Sequence, residues 1–254
     1  QIIKVTGDFW NIRGDFKLGG LLNIGTHSSL VRRRNGKYVL LDAYTLPANL
    51  KAIIDSQTNS GKDIEAIINL HPFHTIHVAG VHQQYPHARL YGTRRHHENL
   101  DNLPWQPELT ESDACKALFA EDFEFSIPAG VDFISRNEKV HFSSVIAYHT
   151  ASKTIHVDDT LTYLVLPGLL GKFKKPEIAF HFTLSKALEQ RAGAAEEFRA
   201  WVRRLAREWS DAENLCAAHS ATVLGGKNRS ASIAEILISA LKRIENTPQK
   251  HERK

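Results

Sequence analysis

Apolar residues come in short, interrupted runs over the first part of the chain and shift to helical spacing later. Residues 21–24, 28–33 and 38–42 are strand-like runs, and Asn35-Gly36 between the last two suits the positive-φ positions of a tight hairpin. A β-meander over residues 1–46 follows. Pro47 then opens a helix whose apolar positions Leu50, Ile53 and Ile54 repeat at helical spacing and which closes near Ser60-Gly61. Ile64, Ile67, Ile68 and Leu70 read as a buried strand, residues 78–85 as a second helix and residues 88–92 as a further strand. This alternation places helices on a sheet.

From residue 93 to 113 the pattern is irregular and polar, and it reads as a loop and a candidate substrate wall. Strands are expected at 123–127, 131–134, 140–148 and 154–157. The longest helix is expected at 184–209, where Leu184, Leu188, Ala195, Phe198, Val202, Leu205 and Trp209 form one apolar stripe opposite Glu196, Arg199, Arg203, Arg204 and Arg207. That stripe is core. A short buried strand at 214–218 and an amphipathic helix at 233–244 follow. The expected organisation is one domain over residues 1–247 and a flexible tail, 248–254.

Composition narrows the class without naming a function. With 42% hydrophobic residues in 254, the chain can bury a substantial core. Its 32 basic and 28 acidic residues make a mixed surface, and the run Arg32-Arg33-Arg34 has no interleaved aromatics, so no nucleic-acid partner is expected. The apolar run at 161–170 is broken by Pro167 and falls far short of the roughly 20 residues that span a bilayer, so no membrane span is expected. Cys115 and Cys216 are too few for a disulfide framework, which favours a reducing, cytoplasmic setting. The chain begins at Gln1, so a removed leader stays open. Oligomeric state is not readable.

The chemistry gathers at strand ends. His71, His74 and His77 sit on the turn between the strand ending at Leu70 and the helix at 78–85, an edge where α/β proteins collect ligands. His149, Asp159 and His219 each follow a separate expected strand. Neutral imidazoles and a carboxylate meeting on rigid strand ends are what a metal ion requires. The other histidines, among them His27, His82, His87, His141, His156 and His181, read as surface or satisfied core residues, with His181 and His97 placed where they could line the cleft.

The order of these features resembles the metallo-β-lactamase superfamily, which presents a His-x-His-x-Asp-His-x-x-Gly loop after a β-meander. His77-Val78-Ala79-Gly80-Val81 is similar to the end of that loop, which sets His74 on its second histidine and His77 on its last. His149-Thr150-Ala151-Ser152 resembles the family's His-Thr-x-Gly-Ser turn, Asp159-Thr160 its bridging Asp-Thr, and His219 its late histidine. The resemblance implies an α/β fold, a four-layer αββα sandwich of two mixed β-sheets flanked by helices. It implies a metal-dependent hydrolase that uses a metal-activated water on a small-molecule ester, lactone, thioester or phosphodiester. The implied metal ligands are His71, His74, His77, His149, Asp159 and His219, with Asp159 and His219 also catalytic. They would hold one or two divalent ions, zinc first, with iron or manganese accepted by the same donors.

Two departures qualify that picture. Pro72 stands in the place of the first histidine, with His71 one residue too early, and Ile76 stands in the place of the aspartate. In the family that aspartate both ligates the second ion and orients the attacking water, tasks closed to an aliphatic side chain. A degenerate member that binds metal or a ligand without efficient hydrolysis therefore stays open. So does an iron-based oxidoreductase, since one fold hosts several chemistries.

Overall fold

The computed structural model describes residues 1–18, 22–23, 25–163, 177–218, 221–228 and 231–245. Its contacts divide the chain into two units, Gln1–Glu124 with His149–Ser152 and Phe125–Tyr148 with Lys153–Lys254.

The first unit is built on a mixed sheet of β1 (Ile2–Lys4), β2 (Phe9–Gly14), β5 (Thr26–Arg32), β6 (Tyr38–Leu41), β7 (Ile64–Ile68) and β8 (Arg89–Tyr91), in that spatial order. β3 (Lys17–Leu18) and β4 (Leu22–Asn23) pair with each other in a two-stranded sheet. The meander strands are antiparallel, and Gly36 at φ 82° closes the β5–β6 hairpin that Asn35-Gly36 announces. β6, β7 and β8 run parallel, because helices α1 (Ala48–Gln57) and α2 (Val78–Gln84) supply the crossovers that parallel neighbours need. Period-two alternation points Trp10 and Ile12 of β2 to the core under α1 and α2, where they meet Leu40, Ile67 and Leu90 from the sheet and Leu50, Ile54, Val78 and Val81 from the helices. Two short helices follow β8, α3 (Arg94–Asn99) and α4 (Asp113–Leu118), so the stretch expected to be irregular carries a helix at its start.

The second unit carries most of another mixed sheet, ordered β14-β13-β11-β10-β9 with β12 against β11. Its strands are β9 (Phe123–Ser126), β10 (Ile146–His149), β11 (Thr154–Tyr163), β12 (Ile178–Phe180), β13 (Asn214–Ala218) and β14 (Thr222–Val223). The core packs Phe198, Trp201, Val202 and Leu205 of α6 (Ala194–Glu208) and Leu237, Ala240 and Leu241 of α7 (Ile233–Arg243) with Ile155, Val157, Leu215 and Ala217. Ser232 and Glu235 form a reciprocal capping box that starts α7.

Four expectations change here. The helix expected at 184–209 is two helices, α5 (Leu184–Ala187) and α6, because Leu188 turns extended to bridge Val131 and Gly193 takes φ 83°, a left-handed value that suits glycine. That bridge is also all that forms of the strand expected at 131–134, and the strand expected at 140–148 is reduced to β10. β11 runs on to Tyr163, since every residue from Thr154 to Leu161 is buried, so Asp158 and Asp159 lie inside a strand and not beyond its end. A register shift against β13 falls between Val157 and Thr162, around that pair.

His219, the run 161–170 from residue 164 onward and the tail 248–254 lie outside the described residues. No described helix is long and apolar enough to cross a membrane.

Candidate metal centre

The loop 69–77 leaves β7 with its root pinned by neighbouring strand ends. Leu70 N–H donates to the Asp42 carboxylate at 2.7 Å, Asn69 donates through both its backbone N–H and its side-chain amide to the Tyr91 carbonyl, and the Thr110 hydroxyl donates to the Asn69 carbonyl at 3.0 Å. Asp42 reaches this position at φ 56°, a left-handed value that an aspartate tolerates better than most residues. A strained residue at the end of β6 thus orients the start of the histidine loop.

His71 is fully buried and His74 partly so, and their rings stack with centroids 4.0 Å apart. Phe73 N–H donates to His71 Nδ1 at 3.2 Å, and His74 N–H donates to the His71 carbonyl. His77 lies at the far end of the loop as the N-cap residue of α2, with Nδ1 3.1 Å from the Thr45 hydroxyl and its ring edge-on to Tyr44. Burial, then the nearby His74, lowers its pKa and keeps the ring neutral. Gly80 explains itself here, because a Cβ would stand 2.3 Å from Thr45 Oγ1. Gly80→Ala is expected to cost about 1–3 kcal/mol by overpacking, read as a lower urea midpoint.

His149 is buried within the first unit. Its ring lies 5.9 Å from Phe9 and 5.2 Å from Phe123, and Nδ1 is 2.7 Å from the Ser152 hydroxyl. Burial pushes its pKa down to about 4. Asp122 holds this turn in place: its carbonyl accepts from Thr150 N–H, and its carboxylate pairs with Arg33 at 2.7 Å. Within this unit, then, the structure brings His71 and His74 together, whereas His77 and His149 have partners of their own. In the second unit Asp159 is buried within β11 beside the equally buried Asp158.

Sequence reasoning passed over His96. It is fully buried at the third position of α3, with burial lowering its pKa to about 4, and its Nε2 donates to the His74 carbonyl at 3.4 Å. The signal was present as Thr93-x-x-His96, a capping-box spacing with histidine in place of glutamate.

No family model and no curated protein matches this chain. Solved structures do. The DIM-1 metallo-β-lactamase exposed to ceftazidime superposes with a TM-score of 0.62 at 13% identity, over 97% of this chain and 96% of that one. A metallo-β-lactamase from Pontibacter korlensis gives 0.58 at 14% identity, over 97% and 99%. FIM-1 from Pseudomonas aeruginosa, in its mono-zinc form, gives 0.59 at 11% identity, over 96% and 95%. This chain has the metallo-β-lactamase fold. Two mixed β-sheets with flanking helices are that fold's framework, as the motif order implied. At such identities the likeness carries the metallo-β-lactamase architecture and leaves the chemistry to the side chains.

Proposed function

We propose that this chain is a metal-dependent hydrolase in which the paired His71 and His74 of the loop, with Asp159 as the motif resemblance implies, hold a divalent ion, zinc in the first place. The observation that carries the reading is the stacked His71–His74 pair at a strand end of a metallo-β-lactamase fold. Two imidazoles and a carboxylate suit zinc, iron or manganese and leave positions open for water and substrate. His71 joins at a small cost. Its Nδ1 accepts the Phe73 N–H, so ligation must displace either that bond or the proton on Nε2. The bond is worth about 1 kcal/mol, against roughly 10–16 kcal/mol for zinc at a full structural site.

A bound ion supplies Lewis acidity to a substrate oxygen and acidifies water near neutral pH. The protein's share is positioning: the pinned loop root fixes His71 and His74, and β11 fixes the Asp159 carboxylate. Asp159 and His219 are the proposed catalytic groups. The proposed substrates are small-molecule esters, lactones, thioesters or phosphodiesters. Ile76 favours a second reading, binding without efficient hydrolysis, because it puts an aliphatic side chain, 73% exposed, between His74 and His77.

His74→Ala and Asp159→Ala are expected to weaken zinc binding by more than about 10²-fold, beyond the usual 10- to 100-fold for losing a ligand's hydrogen-bond partner. Metal titration of the purified protein, followed by the substrate panel, checks this. Equal zinc affinity in wild type and both variants would remove the donor assignment.

A further inference from the structure

His96 has no part in the proposed chemistry, yet its ring is bonded at both nitrogens. Thr93 N–H lies 3.2 Å and the Thr93 hydroxyl 2.9 Å from Nδ1, and the His74 carbonyl oxygen lies 3.4 Å from Nε2. A backbone N–H only donates and a carbonyl only accepts. These two partners therefore fix the ring as neutral, with its lone pair on Nδ1 and its hydrogen on Nε2. One imidazole closes the first turn of α3 and grips the peptide that follows His74. Its surroundings leave it little freedom: the ring packs 5.6 Å from Trp105, and a Cβ on Gly92 would come within 2.8 Å of His96 Cβ.

We infer that His96 is a positioning residue for His74, tying the His74 peptide to the start of α3 so that this helix sets how the loop presents its histidines. Only the consequence for metal affinity rests on the proposed function. The bond itself exists without a metal, so it is tested without one.

The experiment pairs amide hydrogen exchange over residues 74–78 of the metal-free protein with a cobalt(II) titration followed by its visible absorption. His96→Phe keeps a ring and loses the bonds at both nitrogens, whereas His96→Gln restores a donor and an acceptor. In His96→Phe, exchange is expected to accelerate about 5- to 10-fold, the factor for one ordinary hydrogen bond, and cobalt affinity to fall about 10- to 100-fold. His96→Gln should recover both to within a few-fold. Unchanged exchange in His96→Phe overturns the inference whether or not cobalt binds. Equal defects in the Phe and Gln variants overturn it too, since they make His96 a packing residue. Faster exchange in a protein that binds no cobalt in any form sustains the positioning role and removes the metal reading. Should His96→Phe not fold, His96→Asn replaces it, as its amide is too short to reach the His74 carbonyl; normal exchange there overturns the inference.

Discussion

Replacing Ile76 with aspartate is expected to raise hydrolysis of an activated lactone by the zinc-loaded protein about 10²- to 10³-fold, the usual worth of a group that orients and stabilises reacting oxygens. The side chain is 73% exposed, so the exchange forfeits little buried apolar area, and stability should stay within about 0.5 kcal/mol. The position is also suitable. It lies two residues after His74 and directly before His77, on a loop whose two ends are fixed by Asp42 and Thr45. A carboxylate there adds a metal donor and a hydrogen-bond acceptor that the native loop lacks at this point. Bound zinc per chain and the rate on one activated lactone, compared between native and Ile76→Asp proteins, decide the matter. A native protein that already holds two tight ions and turns over fast, unimproved or harmed by the change, would show that another residue fills the role.

Acid is expected to unfold the metal-free protein early. His96 and His149 titrate near 4 in the folded chain because burial disfavours their charged forms, against about 6.5 when unfolded. As pH falls below about 6.5 the unfolded chain takes up these protons first. Their contribution is therefore fully present above that pH and is lost on the way down to about 4. Each is worth on the order of 3 kcal/mol, and the two together are a large part of an ordinary domain's 5–15 kcal/mol. Urea midpoints should fall steadily from pH 7 to 5, before most carboxylates titrate, and the slope should be about halved in His96→Gln. A midpoint that stays flat over that range would contradict the neutral, buried state of both rings.

How far the sequence carried the fold depends on how local each signal is. Asn35-Gly36, the helix α1 and the apolar run of β7 are short-range patterns that few tertiary contacts override, and they appear where expected, although Ile53 of the α1 stripe faces outward. Leu188 shows the opposite case. It fits a helical stripe by spacing but is drawn into an extended bridge with Val131, a partner far away in sequence that no periodicity reveals. β11 was cut short because two aspartates look like the end of a strand, yet both are buried within it. At the candidate site, the His71–His74 spacing was legible, but the stacking of the two rings and the hold of His96 depend on how the loop folds back.

The discontinuity of the first unit has a consequence for how the chain is made. Phe9 and Phe123 are fully covered in the finished fold, and the His149 ring that touches both arrives with the segment His149–Ser152, synthesised well after Glu124. At about 5–20 residues per second, translation of the 24 intervening residues, 125–148, takes about 1–5 s. Throughout that window a nascent chain has the meander, β7, α2 and the histidine loop but lacks the turn that caps its aromatic pair. A chain cut short before His149 would therefore hold an almost finished unit with that pair uncapped, open to chaperones or to a second such chain.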